Sequence, residues 1–165
     1  MTGADVPPLT GVGTAIVTPL THDAVAYDAL TKLIEHQIAE GVDFLVPCGT
    51  TGESPTLTDS ERVHVIEHVV DVVAGRVPVV AGTGTNDTPH SVAMTKAARK
   101  AGATACLAVS PYYNRPTQEG LYRHFRAMID EGGLPAVLYH IPTRGSSPSD
   151  IATETRVAPG GGGGG

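Results

Sequence analysis

Short apolar runs separated by helix-like segments recur at intervals of about 30 residues along the chain, and this alternation limits the fold more than any other feature. The runs cover residues 12–17, 44–46, 77–81, 105–109 and 136–139. Between the first two, residues 28–40 place Leu30, Leu33, Ile34, Ile38 and Ala39 on one stripe, with Gly41 as a stop. Residues 59–74 follow a capping box of Thr58 and Glu61 and end at Gly75. Residues 88–101 are rich in Ala, start beside Asn86 and Asp87 and end at Gly102, while 117–131 end at Gly132-Gly133. A fifth helix is predicted to open at Ser147-Pro148, because proline is pre-set for the first helical position, and to stop before Pro159.

Strands alternating with helices predict an α/β protein with a parallel sheet. Two architectures satisfy the pattern: a doubly wound open sheet, or the first five units of a (β/α)8 barrel. A whole barrel usually needs about 250 residues, more than the 165 present. Residues 1–158 are expected to form one domain, and 159–165 a glycine tail. Glycine has no side chain to bury and much entropy to lose, so the six terminal glycines cannot join a core.

Composition narrows the class of function. Hydrophobic content of 41% with 17% charged residues is globular, and a net charge of −6 with no basic run argues against a general nucleic-acid binder. No apolar stretch approaches the ~20 residues of a membrane span, and MTGADVPPL has neither the basic nor the apolar region of a secretion signal. Cys48 and Cys106 sit in or at the ends of apolar runs, which fits two free thiols in a reducing compartment. The expectation is a cytoplasmic protein with neither nucleic-acid nor membrane partners.

Each apolar run ends in a compact polar motif: Thr18-Pro19, GTTGES (49–54), GTGTND (82–87), SPYYNRP (110–116) and YHIPTRG (139–145). In a parallel sheet these ends share one face, where ligands bind. GTTGES lacks the lysine and spacing of a P-loop, and GTGTND lacks the third glycine of a dinucleotide fingerprint. Thr50 and Thr51 either offer hydroxyls to a carboxylate or a proton, or close a tight turn. Tyr112 and Tyr113 project as proton-carrying phenols or pack beneath their loop. Tyr139 is a third tyrosine on the same rim, and Arg144 is either a carboxylate clamp or a surface charge. HVIEH (64–68) matches a zinc-peptidase pattern. It lies on a helix with Val63, Ile66, Val69, Val70 and Val73 on the opposite side, which favours a plain amphipathic helix over a metal site.

GTTGES, GTGTN, SPYYNRPTQEGLYRHF and LYHIPTR, in this order and spacing, resemble the dihydrodipicolinate synthase (4-hydroxy-tetrahydrodipicolinate synthase) family, pyruvate-dependent class I aldolases related to the N-acetylneuraminate lyases. The resemblance spans roughly residues 9–145, and the YYNRP run favours the synthase over the sialate lyases. It implies a (β/α)8 TIM barrel, of which this chain carries about five βα units. It also implies condensation of pyruvate with aspartate semialdehyde through a lysine Schiff base, no cofactor and no metal, and a homotetramer built as a dimer of dimers. By the same resemblance Thr50, Tyr113 and Tyr139 form a catalytic proton relay, with Tyr113 reaching a neighbouring subunit's site. Thr51 holds the pyruvate carboxylate, and Arg144 receives the carboxylate of the aldehyde.

Some positions depart from the family pattern. His140 replaces a common Asn, and GSSPS follows Arg144. Of the positions matching the family's lysine-inhibition site, Asn86 and Tyr112 fit, whereas Asp59, Arg62 and His90 differ. The imine-forming lysine belongs at the end of a sixth strand. The lysines here are Lys32, Lys96 and Lys100, all inside predicted helices. The alternatives are a sister aldolase for sialic or keto-sugar acids, and a non-catalytic fragment that only assembles with partners.

Overall fold

Every apolar run yields a strand, and the strands pair in the order in which they occur. The computed structural model describes residues 9–22, 24–141 and 150–158. The chain begins with β1 (Gly13–Ala15), then a small hairpin of β2 (Leu20–Thr21) and β3 (Ala24–Val25), then α1 (Tyr27–Ala39). Next come β4 (Phe44–Val46), α2 (Asp59–Val73), β5 (Val80–Gly82) and α3 (Thr88–Ala101). β6 (Ala105–Val109), α4 (Gln118–Asp130), β7 (Ala136–Tyr139) and α5 (Ile151–Val157) complete the described elements.

β1 pairs in parallel with β4, Gly13 opposite Phe44 and Ala15 opposite Val46. β5 pairs with β6 from Val80–Ala105 to Gly82–Leu107, and β6 with β7 from Cys106–Ala136 to Val109–Tyr139, all parallel. The seam between β4 and β5 is a parallel bridge of Leu45 with Val79, flanked by Leu45 N–H donating to Pro78 C=O at 3.1 Å and Gly82 N–H to Pro47 C=O at 2.9 Å. The order is therefore β1-β4-β5-β6-β7, with β1 and β7 at the edges. Sequential order excludes the doubly wound alternative, in which the order reverses at a switch point. The third run pairs later than its apolar residues begin because Pro78 has no N–H to give the ladder.

Period-two alternation splits the sheet into two faces. Leu45, Val79, Ala81, Cys106 and Ala108 pack with Leu30 and Ile34 of α1, Ile66 and Val69 of α2, and Leu121, Phe125 and Met128 of α4 in the main core. On the other face Val46, Val80 and Ala105 form a second cluster, with Phe44 and Leu107 against it. The HVIEH segment is an amphipathic helix: Val65 and Ile66 are buried and His64 and Glu67 exposed. His68 is not on the solvated side, since it pairs with the Thr31 hydroxyl at 2.8 Å and leans on the Tyr27 ring.

The helix starts follow their caps. Thr58 N–H donates to the Glu61 carboxylate at 2.8 Å, while Glu61 N–H donates to Thr58 Oγ at 3.3 Å. These bonds hold the Glu61 carboxyl below its ordinary range, the backbone bond contributing most. Asp87 and Thr117 cap α3 and α4. The fifth helix starts later than expected: Asp150 has φ −90° and ψ 160°, and its carboxylate accepts from Thr153 N–H at 2.6 Å. A carboxylate that accepts one of the first turn's orphan N–H groups sets the boundary here, and Ser147-Pro148 fall outside the described residues. α5 is held on α4 by Arg156, which lies 4.0 Å over the Tyr122 ring and 3.0 Å from the Glu119 carboxylate.

Gly82 marks the tightest approach in the sheet. A Cβ there would overlap the Cys48 carbonyl and sit 2.8 Å from Gly49 N. Gly82→Ala must push β5 away from the backbone after β4, and overpacking of this kind costs about 1–3 kcal/mol. Gly49→Ala, whose Cβ would meet only Leu107 at 4.0 Å, should cost under about 1 kcal/mol. Urea titration of both variants tests this, and equal midpoints would refute the register argument.

Candidate active site

The loops that leave the strand C-termini are fixed by bonds that, among the described residues, avoid the side chains of Thr50, Thr51, Tyr113 and Tyr139. After β1, Thr18 is buried and its hydroxyl donates to Gly52 C=O at 2.8 Å. After β4, Cys48 adopts φ +57°, Gly49 is extended, and Thr50–Gly52 form a 3₁₀ turn. That turn is closed by Gly52 N–H to Gly49 C=O and Glu53 N–H to Thr50 C=O, both 3.0 Å. A Cβ on Gly52 would meet Ile16 C=O and Thr18 Oγ at 3.2 Å, so glycine lets the two loops touch.

Thr50 and Thr51 are exposed, and neither hydroxyl bonds another described residue. The tight-turn alternative therefore fails for these two side chains: backbone groups and Thr18 close the turn. Their N–H groups open the 3₁₀ turn and have no carbonyl to meet within it.

GTGTND divides its work differently. Thr83 and Thr85 are buried, Thr83 Oγ lying 2.8 Å from Thr95 Oγ and Thr85 Oγ 2.9 Å from Ser91 Oγ, which fastens the loop to α3. Asn86 instead crosses to the next loop, donating to Asn114 Oδ1 at 3.2 Å while Asn114 Nδ2 donates to Asn86 C=O at 2.8 Å. This clasp carries Tyr113, whose φ is +70° and whose side chain is 91% exposed. A non-glycine residue at such a φ is uncommon. Tyr113 thus stands clear of its own loop, and Tyr112 is also exposed.

Tyr139 ends β7 and is 38% exposed, on the sheet face away from the helices. Its carbonyl accepts from Ser110 N–H at 3.1 Å, joining the SPYYNRP loop to the fifth strand. No hydrogen bond joins the hydroxyls of Thr50, Thr51, Tyr113 and Tyr139 to one another. Arg144 lies outside the described residues. Lys32, on α1, and Lys96 and Lys100, on α3, are all exposed.

Charged and thiol groups behind the rim complete the electrostatics. Arg62 is buried, a role that helix periodicity gives no means of foreseeing, and its Nη2 donates to Gly82 C=O at 3.0 Å. Its partner carboxylate, Asp59, is 3.9 Å away and is shared with His90 Nε2 at 2.9 Å. Burial pushes the Cys48 thiol up to about 11, against the pull of Arg62, and the Cys106 thiol likewise up to about 11. Thiols so protonated are poor nucleophiles at neutral pH.

A sequence model of the Dihydrodipicolinate synthetase family matches residues 8–158. The chain belongs to that family. The 4-hydroxy-tetrahydrodipicolinate synthase of Acetivibrio thermocellus is 51% identical over 138 residues, covering 84% of this chain and 47% of that protein. Its counterpart in Rhodopseudomonas palustris is 48% identical over 154 residues, covering 93% and 52%. The crystal structure of the dihydrodipicolinate synthase from Aquifex aeolicus superposes with a TM-score of 0.87 at 44% identity, covering 89% of this chain and 50% of that one. The chain thus spans about half the length of the curated relatives it matches, and its five βα units are part of a TIM barrel of the dihydrodipicolinate synthetase family. These relatives are lyases that act on small molecules.

His124, at the α4 end of this region, is buried and its Nδ1 pairs with the Thr88 hydroxyl at 2.8 Å. Burial pulls its imidazole below the ordinary 6.5, with Asp87 opposing. The unfolded chain therefore binds the proton more readily than the folded one. His124 contributes stability that is complete above 6.5 and is lost as pH falls toward its lower folded value. Thermal melts between pH 7.5 and 5 should show a fall in Tm that is flattened in His124→Asn, and parallel curves would overturn the assignment.

Proposed function

We propose that the strand C-termini of this chain form the pyruvate-binding and proton-handling half of a 4-hydroxy-tetrahydrodipicolinate synthase-type site. The observation that carries this is the state of Thr50 and Thr51: two exposed hydroxyls, unbonded to described residues, on a turn that closes itself. They stand in a chain about half identical to enzymes of that name. A turn built this way keeps its hydroxyls and its first N–H groups for a ligand. In this scheme the Thr51 hydroxyl and the turn's N–H groups hold the carboxylate of pyruvate, since charge-assisted bonds to an anion are stronger than neutral ones.

Thr50 and Tyr139 then pass a proton between the condensing carbons and solvent, with Tyr139 as the acid/base nearest the imine. Tyr113 completes the relay of a neighbouring subunit, for which its exposed, left-handed loop position is suited. Arg144 takes the carboxylate of aspartate semialdehyde as a bidentate partner. The amine that forms the imine must be desolvated to be unprotonated at neutral pH. Lys32, Lys96 and Lys100 are exposed on helices and do not meet that need. The amine is therefore assigned to a lysine outside this stretch. The same scheme places the chain's reaction in lysine and diaminopimelate synthesis, in a cytoplasmic homotetramer.

Pyruvate with borohydride should leave the 165-residue chain unmodified by mass spectrometry. A stoichiometric adduct on any of its three lysines would sink the assignment. In a chimera joining this chain to the portion of the Acetivibrio relative that it does not match, Tyr139→Phe should lower kcat by a factor on the order of 10²–10⁴, the range for a positioned acid/base. Unchanged turnover would make Tyr139 a packing residue.

A further inference from the structure

We propose that the groove between α3 and α4, on the outer side of the helix layer, is a binding site for an α-amino acid with a straight apolar side chain. The inference goes beyond the pyruvate chemistry proposed above and does not depend on it.

The two helices run side by side in the same direction, and their contacts fix the two ends of the groove. At one end the Thr88 hydroxyl lies 2.8 Å from His124 Nδ1. At the other, Gly132 follows α4 so close to α3 that a Cβ on it would come within 2.6 Å of Thr95 Cγ2. Between these ends a space of about 330 Å³ opens over Pro89, Val92 and Ala93 of α3 and Ala127 of α4. Ala93 and Ala127 leave this space by being small. Its volume sits at the low end of the range of about 300–1,000 Å³ for small-molecule sites, which suits a metabolite and not a docked helix.

The chemistry of the groove changes along its length. At the Thr88 end the hydroxyl is engaged by His124, so the Pro89 ring and Val92 offer hydrocarbon. At the Gly132 end Lys96 and Glu131 stand on opposite walls, one from each helix, and both are exposed. Among the described residues they form no ion pair with each other, and neither side chain bonds any other group. Thr88 and Lys96 lie about 12 Å apart along the helix axis. The two opposite charges therefore share one end of an apolar trough.

An α-amino acid carries the complement of this arrangement. Its carboxylate matches Lys96, its ammonium matches Glu131, and its side chain points along Ala93, Ala127 and Val92 toward Pro89. A simple anion would face Glu131 as a like charge, and a simple amine would face Lys96 likewise. A polar side chain would lose water against Val92 and Pro89 with nothing to replace it. The lining includes none of Asp59, Arg62, Asn86, His90 or Tyr112, the positions compared above with the family's lysine-inhibition site.

The test titrates the 165-residue chain, and the chimera described above, with L-norleucine. Hexanoate and pentylamine, each lacking one charge of the norleucine head, serve as controls. Amide shifts in heteronuclear NMR spectra should saturate with norleucine and cluster on residues 88–96 and 127–131. Norleucine should bind about fivefold more tightly than either control, the upper worth of an exposed ion pair. Lys96→Gln and Glu131→Gln should each weaken it about fivefold, and Ala93→Leu, which fills the groove from an exposed position, should abolish it. Lys96→Glu combined with Glu131→Lys exchanges the charges across the groove, and should recover most of the affinity that Lys96→Glu alone removes. Circular dichroism checks that each variant keeps its helicity. Absence of saturable binding in both proteins, hexanoate binding as tightly as norleucine, shifts centred elsewhere, or indifference to Ala93→Leu would each overturn the proposal. None of these outcomes bears on the pyruvate reading, whose residues lie at the strand C-termini.

Discussion

Sequential parallel pairing of five short strands is the constraint on which the rest depends. Each strand is only three to five residues long, too short to hold a helix in place by its own ladder. The sheet works because β4 to β7, and Ile16 just after β1, send side chains into one shared core beneath α1 to α4. Given that direction, every strand C-terminus opens on the same rim, and the loops that follow have no other place to be. The chemistry is thus located by the hydrophobic alternation before any polar residue is considered.

Holding the rim together is a separate task, assigned to separate residues. Thr18, Thr83, Thr85, Asn86, Asn114 and the buried Arg62 bond loops to one another or to the helices behind them. Two glycines serve the same end by letting backbones approach, Gly52 against the β1 loop and Gly82 against the β4 loop. The guanidinium of Arg62 is out of water with a carbonyl at 3.0 Å and its nearest carboxylate at 3.9 Å. A buried cation so modestly paired is tolerated where it fixes geometry, and here it ties α2 to the end of β5.

The fold was largely legible in the sequence, because hydrophobic period and capping chemistry are local. Four helices begin and end within a residue or two of their expected bounds, and Thr58 with Glu61 form the box their spacing promised. The misses have physical causes. Pro78 delayed the third ladder, Asp150 caps the fifth helix, and the β2–β3 hairpin has two-residue strands that leave no periodicity to read. Within the rim, Thr50, Thr51, Tyr112, Tyr113 and Tyr139 are exposed. The burial of Arg62 was not legible, since a charge on a helix gives no sign of the carbonyl waiting for it. No local rule would have separated the two threonines of GTTGES, left exposed, from the two of GTGTND, used as fasteners. That difference arises only when α3 packs against β5.

The self-closed turn at Thr50–Gly52 has a consequence for how this site can change over time. Its closure uses peptide groups and a hydroxyl lent by Thr18, so the side chains of Thr50 and Thr51 carry almost none of the folding free energy. Residues in that position are free to be exchanged for others of similar size without the protein first having to regain lost stability. Exchanges at these two positions would leave the scaffold standing. Gly52, whose Cβ would press on Ile16 C=O and Thr18 Oγ, has no such freedom, so the frame is more constrained than the side chains it presents.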